Sequence, residues 1–180
     1  FYEEFGPAAF TAKFRAAAMY NFGPSLAPMN AFHILQGLET LPLRMQRHIE
    51  NTEKLLKFLT AHEQVSWVRH PFLPEHPQYK LAKKMLPKGA GSIITFGIKG
   101  GRDAGRKFIE AVSLSSHLAN VGDAKTLVIH PASTTHSHID ADAMKSAGLT
   151  DDMIRLSVGL EDISDIVSDF EQGLKAASKL

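Results

Sequence analysis

Arg155 is the residue whose type and setting point most directly to chemistry. It stands in the segment 154–158, Ile-Arg-Leu-Ser-Val, which alternates apolar and polar residues as a half-buried strand does. A cation that points into a domain has to be paired, because an isolated buried charge is strongly unfavourable. The planar guanidinium suits a carboxylate or a phosphate, to which it donates two parallel hydrogen bonds. The sequence therefore predicts either an anion site at Arg155 or a residue on the solvent face of a sheet.

A second polar group lies between His130 and His138, where histidines occur among serines and threonines. His136 and His138 are two residues apart and would share a side of an extended chain. A zinc site needs three or four ligands in fixed geometry, and the segment has no His-Glu-x-x-His motif. It also lacks the Gly-x-Ser-x-Gly turn of a hydrolase nucleophile. We therefore expect no metal site and no serine nucleophile here, and interpret the segment as a polar turn that follows a strand.

The elements that would position these residues follow from the spacing of the apolar side chains. The pattern predicts helices at 7–20, 30–38, 43–61, 79–86, 102–111, 140–147 and 162–177, and strands at 65–69, 92–98, 114–118, 126–129 and 154–158. Helices come first, and strands interleaved with helices follow. This order predicts an α+β domain with helices on one face of its sheet. The predicted boundary gives a helical segment 1–62 and an α+β segment 63–180.

Composition excludes several classes of protein. With 20 basic and 19 acidic side chains, the formal net charge of +1 gives no general attraction to nucleic acid or to an anionic membrane. The absence of cysteine excludes disulfides, thiolate nucleophiles and cysteine zinc sites. No apolar run approaches the roughly 20 residues that span a bilayer, and the first residues do not resemble a signal peptide. We therefore expect a cytoplasmic protein with neither a membrane nor a nucleic-acid partner.

Several stretches, in order along almost the whole chain, resemble one known family. They are FGPAAF (5–10), NAF (30–32), QGLET (36–40), LRM (43–45) with His48 and Asn51, LPKGA (86–90), TFGIKGG (95–101), LANVGDA (118–124), HPASTTHS (130–137) and IRLSVGLE (154–161). Together they resemble the C-terminal part of the Cys/Met-metabolism family of pyridoxal-phosphate-dependent enzymes. The resemblance is greatest to the O-acetylhomoserine sulfhydrylase branch of that family.

The resemblance implies a fold and a set of site residues. The fold is the C-terminal domain of the aspartate-aminotransferase-like architecture (PLP fold type I), preceded by the last helices of the large cofactor domain. The family arginine that binds the α-carboxylate of the substrate falls on Arg155. Two further substrate-binding positions fall on Asn120, where many relatives carry serine, and on Thr135 in the His-Pro-Ala loop. The resemblance also implies pyridoxal 5'-phosphate, a small amino-acid substrate, and a homo-oligomer that is a tetramer in the full-length enzyme.

One family motif is absent from these residues. The Schiff-base lysine of the family follows a Ser-x-x-Ser/Thr-Lys motif, which does not occur here, and the family's cofactor-binding residues also lie upstream. The resemblance therefore implies a fragment with no catalytic and no cofactor-binding residue of its own, inactive by itself. The start at Phe1 rather than Met fits a fragment. Helices before residue 40 are then expected to expose apolar side chains such as Phe10, Phe14, Phe32 and Leu35.

The implied reaction of the full-length enzyme replaces the acetyl group of O-acetylhomoserine with sulfide, giving homocysteine and acetate in methionine biosynthesis. Three alternatives lie within the family: O-succinylhomoserine sulfhydrylase, cystathionine γ-synthase and methionine γ-lyase. A fourth alternative is a non-catalytic domain that holds an anionic metabolite at Arg155.

Overall fold

The computed structural model describes residues 1–138 and 140–179, and the chain divides into two compact units, Phe1–Leu41 and Pro42–Leu180. The first unit is helical. It contains α1 (Tyr2–Phe5), a 3-10 turn (Gly6–Ala8), α2 (Ala9–Lys13), a π-helical stretch (Phe14–Met19), α3 (Tyr20–Phe22) and α4 (Pro28–Glu39). The helical path that starts at Tyr2 ends at Gly23, whose φ of +56° is a conformation that glycine adopts without strain.

The first predicted helix is present but begins earlier than expected. Pro7 lies inside a 3-10 turn between two helical stretches instead of opening the helix, because a 3-10 turn accommodates its missing N–H. None of the residues of these short helices is buried. Phe10 is 81% exposed, and Phe14, Phe32 and Leu35 are also exposed, as the resemblance to the C-terminal part of the family led us to expect.

The second unit is the α+β unit. Its elements are α5 (Leu41–Ala61), β1 (Val65–Arg69), α6 (Tyr79–Met85), β2 (Ile93–Ile98), α7 (Gly101–Ala111), β3 (Ser116–His117), β4 (Leu127–Ile129), a 3-10 turn (Pro131–Ser133), α8 (Ala141–Ser146), β5 (Met153–Ser157) and α9 (Ile163–Ala177). In the described residues the five strands form one sheet in the order β1-β2-β5-β4-β3. Only the β3–β4 pair is parallel. The predicted helix-then-α+β order is confirmed.

The core lies on one face of this sheet. Alternate strand residues such as Ile94, Phe96 and Leu156 are fully buried against residues of α5, α7 and α9. Phe96, Phe108 and Phe170 form an aromatic cluster with ring centroids 5.4–6.4 Å apart, within the range in which aromatic pairs attract. Because side chains alternate along a strand, the residues between them belong to the opposite face. Arg155 is one of these.

The buried face of α5 carries polar as well as apolar residues. Leu55, Leu56 and Leu59 are buried, and so are two polar residues, His48 and Asn51. Nδ1 of His48 and Nδ2 of Asn51 bind backbone carbonyl groups of the segment that follows β5, and these hydrogen bonds compensate for the burial of the two nitrogens. By packing, α5 belongs with the sheet. The boundary predicted at residue 62 concerns the domains of the full-length enzyme and stays a prediction.

The predicted strand 114–118 is reduced to the two residues of β3. The backbone N–H groups just before it, at Ser113, Leu114 and Ser115, bind the carboxylate of Asp169 on α9 and so leave the sheet. Within the part of the chain that the structure describes, no helix is long and apolar enough to cross a membrane.

Candidate functional site

Arg155 lies at the centre of β5 on the sheet face opposite the aromatic cluster. Its register partners are Thr95 on β2 and Ile129 on β4. Directly opposed residues in neighbouring strands have Cβ atoms about 4.5–5.5 Å apart, so Thr95 and Ile129 flank the side chain of Arg155 on its two sides. Arg155 is half-buried, while the residues around it on β5 are buried. The sheet therefore holds the aliphatic part of the Arg155 side chain in place and leaves its guanidinium group accessible.

A cavity of about 400 Å³ opens over this face. Its lining residues come from β2, the loop after β3, β4, the His-Pro-Ala segment, the loop after α8 and β5. They are Thr95, Ala119, Asn120, Val121, Ile129, Pro131, Thr135, His136, Leu149, Met153 and Arg155. The cavity brings together Arg155, Asn120 and Thr135, which are far apart in sequence and which the family resemblance had assigned to one site.

The guanidinium of Arg155 has no anionic partner among the described residues. Its one hydrogen bond there is a long one, 3.5 Å from Nη2 to the backbone carbonyl of Asn120. Arg102 shows the contrast, since its guanidinium is 2.9 Å from the carboxylate of Asp151. A half-buried cation beside an apolar cavity favours an incoming anion, because a charge away from water is stabilised by pairing. The site can therefore bind a carboxylate or another oxyanion.

Asn120 and Thr135 contribute in different ways. The side-chain oxygen of Asn120 accepts a hydrogen bond from the backbone N–H of Val121 at 2.9 Å, so it is the backbone carbonyl of Asn120 that meets Arg155. The hydroxyl of Thr135 lies 2.8 Å from Nδ1 of His136, which also lines the cavity. Thr135 therefore belongs to a hydroxyl–imidazole pair at the edge of the site.

The histidine segment is fixed by its own hydrogen bonds. The ring of His130 is buried, with Nε2 2.8 Å from the backbone carbonyl of Asp151 and Nδ1 2.8 Å from the hydroxyl of Ser133. Because a carbonyl only accepts, Nε2 carries a hydrogen and donates it to Asp151. His130 thus anchors the 3-10 turn that precedes Thr135. Across residues 1–138 and 140–179, no group of three or more histidine and acidic side chains could hold a metal ion.

The segment after β5 is held by the carboxylate of Glu161. One oxygen of Glu161 accepts from the backbone N–H of Thr126 at 2.6 Å, and the other accepts from the Thr126 hydroxyl at 2.8 Å. The same hydroxyl accepts from the N–H of Gly159 at 2.9 Å. Asn51 on α5 donates to the carbonyls of Gly159 and Glu161. This network joins the beginning of β4 to the end of β5, so it holds together two of the strands that carry the site.

We expect Gly159→Ala to break this network. A Cβ at Gly159 would overlap the Glu161 carboxylate and the backbone nitrogen of Thr126, and would lie 2.5 Å from the carbonyl carbon of Lys125. Backbone atoms cannot move aside cheaply, so the free energy of unfolding should fall by about 1–3 kcal/mol. Urea unfolding followed by the fluorescence of Trp67, the single tryptophan, measures it.

The matched control for this substitution is Gly37→Ala, since a Cβ at Gly37 has nothing within 4 Å. This variant should unfold at the wild-type urea concentration or slightly above it, because alanine is the better helix former. If the two variants lose the same stability, steric overlap at Gly159 is not the cause.

Comparison with known proteins identifies the family of this chain. The family model described as Cys/Met metabolism PLP-dependent enzyme matches residues 8–175. The chain belongs to this family. Homocysteine synthase of Schizosaccharomyces pombe is 49% identical to it over 98% of the chain and 41% of that protein. O-acetyl-L-homoserine sulfhydrylase 1 of Thermus thermophilus is 45% identical over 96% of the chain and 41% of that protein. The chain thus spans about 41% of the length of these relatives.

Solved structures of the family share the fold. A Campylobacter jejuni protein assigned as an O-acetylhomoserine (thiol)-lyase, solved with N'-pyridoxyl-lysine-5'-monophosphate, has a TM-score of 0.83 at 37% identity and matches 93% of this chain and 40% of its own. Cystathionine γ-synthase of Xanthomonas oryzae has a TM-score of 0.80 at 35% identity, over 88% of this chain and 41% of its own. The predicted PLP fold type I architecture of a C-terminal domain is confirmed, and the family's cofactor is pyridoxal phosphate.

The cavity fits the substrate side of a pyridoxal-phosphate site. It offers one guanidinium for a carboxylate and apolar side chains such as Ile129 and Met153, and none of the described residues that line it is a lysine. Sequence reasoning missed Thr95, because only the strand register shows that it faces Arg155. Sequence reasoning also considered His136 only as a possible metal ligand and not as a residue that lines the site, although the neighbouring Thr135 had been assigned to the site.

Proposed function

We propose that this chain is the C-terminal part of a pyridoxal-phosphate-dependent O-acetylhomoserine sulfhydrylase and supplies the site for the substrate carboxylate. The observation that carries the proposal is Arg155, half-buried at the cavity with no anionic partner in the described residues. The relatives named homocysteine synthase and O-acetyl-L-homoserine sulfhydrylase support the reaction class. The likeness to a cystathionine γ-synthase structure makes that reaction the second candidate.

In the proposed site Arg155 binds the α-carboxylate of the amino-acid substrate through two parallel hydrogen bonds. The backbone carbonyl of Asn120 accepts from Nη2 and so holds one edge of the guanidinium in position. With the carboxylate fixed at a strand centre, the Cα–H bond of the substrate has a defined direction, which lowers the entropic part of the barrier. Thr135, paired with His136, borders the space beside the carboxylate.

Pyridoxal phosphate, when bound, supplies the electron sink for the reaction. We propose that the lysine that holds the cofactor lies upstream of this chain, together with the other cofactor contacts. By the same proposal, residues 1–62 end the large domain and 63–180 form the small domain of a cytoplasmic homo-oligomer, a tetramer when full-length. The chain alone should then be inactive, because none of the described residues that line the cavity is a lysine that could take that role.

The test is an assay of the purified full-length enzyme loaded with pyridoxal phosphate. O-acetyl-L-homoserine with sulfide should give homocysteine and acetate with a higher kcat/KM than O-succinyl-L-homoserine with sulfide. This kcat/KM should also exceed the value for O-acetyl-L-homoserine with cysteine, the reaction of a cystathionine γ-synthase. It should likewise exceed the value for methionine alone, the reaction of a γ-lyase. The 180-residue chain is the control and should form no homocysteine. A higher kcat/KM in another arm, or turnover by the chain alone, contradicts the proposal.

A further inference from the structure

Asp169 on α9 is a buried carboxylate that the proposed reaction does not use. It is 6% exposed and binds three successive backbone N–H groups. Ser113 and Leu114 donate to Oδ1 at 2.6 and 3.0 Å, and Ser115 donates to Oδ2 at 2.9 Å. The Ser113 hydroxyl is 3.3 Å from Oδ1. None of the described lysines, arginines or histidines forms an ion pair with it, so backbone dipoles stabilise the charge.

The charge state of Asp169 follows from the same contacts. Burial raises the pKa of this carboxyl, but the hydrogen bonds from Leu114, Ser113 and Ser115 lower it by more, so that the pKa lies below its ordinary value. Asp169 is therefore ionised at neutral pH and binds segment 113–115 as an anion. Hydrogen bonds to a charged group are roughly twice as strong as those between neutral groups.

Segment 113–115 lies shortly before the pocket loop, a name that we use for residues 118–122. Between them lies β3, whose two residues pair with Leu127 and Val128 of β4. The pocket loop itself is largely exposed, with Leu118 and Val121 on the surface. Its Ala119, Asn120 and Val121 line the cavity. A two-residue strand is a weak anchor, so the position of this loop depends on how firmly 113–115 is held.

The geometry assigns to Asp169 the role of a positioning residue for the substrate site. Its carboxylate fixes segment 113–115 on α9 and thereby sets where the pocket loop presents the carbonyl of Asn120 to Arg155. This inference rests on the proposed carboxylate site and adds to it a residue on the other side of the sheet. Asp169 does not touch the cavity and acts only through the loop.

The effect of Asp169 is specific to one substrate. Loosening the pocket loop disturbs the position of Arg155, and with it the binding of the amino-acid carboxylate. It leaves the second substrate, sulfide, unaffected, because sulfide has no carboxylate. A substitution at Asp169 therefore separates the KM for the amino acid from the KM for sulfide.

Asp169→Asn in the full-length enzyme tests this. The amide keeps the size of the side chain but loses the charge, and one of its two ends must face a backbone N–H with a donor. We expect a rise of about tenfold in the KM for O-acetyl-L-homoserine, the equivalent of one lost charged hydrogen bond. The KM for sulfide and kcat should stay within about twofold of wild type, a change too small to represent a lost contact. Equal changes in both KM values, or no change in either, overturn the inference.

Two controls separate positioning from general destabilisation. Asp165→Asn removes an exposed carboxylate from the same helix and should leave both KM values unchanged. Phe170→Leu weakens the core beside Asp169 but changes none of the atoms that form the hydrogen bonds between Asp169 and segment 113–115, so it should lower the unfolding midpoint and leave the KM for the amino acid unchanged. If Phe170→Leu raises that KM as much as Asp169→Asn does, the role of Asp169 is only structural.

Hydrogen exchange gives a readout that does not need turnover. In Asp169→Asn the amides of 113–122 should exchange at least several-fold faster than in wild type, while in Phe170→Leu they keep their wild-type rates relative to the rest of the sheet. If wild-type enzyme does not convert O-acetyl-L-homoserine, the proposed function fails and exchange still decides whether Asp169 holds the loop. Unchanged exchange in Asp169→Asn overturns the inference even where the proposed function holds.

Discussion

Arg155→Ala in the full-length enzyme is expected to raise the KM for O-acetyl-L-homoserine by about 30- to 700-fold. Removing one partner of a hydrogen-bonded charge pair that is shielded from water costs about 2–4 kcal/mol, and each 1.4 kcal/mol is a factor of ten. The loss is large because, among the described residues that line the cavity, Arg155 is the only arginine and there is no lysine to replace it. Initial rates at saturating sulfide, measured over a range of amino-acid concentrations, give this value.

Two variants show whether the loss belongs to the guanidinium fork. Arg155→Lys keeps the positive charge but loses the paired donors, and should fall between wild type and the alanine variant. Arg102→Ala removes an exposed arginine that pairs with Asp151, and should leave the KM unchanged. If the KM of Arg155→Ala is within threefold of wild type, Arg155 does not bind the substrate carboxylate, and the proposed site has no cation for it.

Phe170→Ala should cause the largest loss of stability. Phe170 is fully buried and contacts both Phe96 and Phe108 in the aromatic cluster. Truncating a buried phenylalanine removes its transfer free energy and leaves a cavity, which together cost about 3–5 kcal/mol. Most domains have only about 5–15 kcal/mol in total, so the variant should be largely unfolded at urea concentrations where wild type is intact. Trp67 fluorescence during urea unfolding of the chain follows the loss.

The matched control is Phe10→Ala, which truncates the same type of side chain where it is 81% exposed. It should shift the unfolding midpoint by little, because the only ring contact it loses among the described residues is the exposed stacking on Phe14. A loss below about 1 kcal/mol for Phe170→Ala would mean that the cluster relaxes to fill the cavity.

Local patterns predicted what depends on neighbours in sequence. The strand around Arg155, the long helix that ends at Ala61 and the final helix were all placed within one or two residues, because apolar periodicity and capping residues are local signals. Asp162, for example, caps α9 by accepting from the N–H of Ser164. The same signals could not show that β5 lies between β2 and β4, which is a matter of long-range pairing.

The residues of the site also divide into those that could be predicted from the sequence and those that depend on long-range contacts. The residue pattern alone pointed to Arg155, and the family resemblance added Asn120 and Thr135. Thr95 could not be found without the register that sets it opposite Arg155. Asp169 could not be found either, since an aspartate in an amphipathic helix normally faces solvent and only the tertiary structure shows its three backbone donors. Buried polar contacts across long sequence distances have no local signature.

The alternation along β2 and β5 has a consequence for how such an enzyme can change over evolutionary time. Phe96 and Leu156 belong to the core, while Thr95 and Arg155, their immediate neighbours in the chain, belong to the cavity. A substitution at Thr95 can reshape the pocket without disturbing the packing on which folding depends. Residues that bind the substrate and residues that stabilise the fold are therefore neighbours in the same strand but lie on opposite faces of the sheet. They can change independently, so a new substrate preference can arise without loss of the fold.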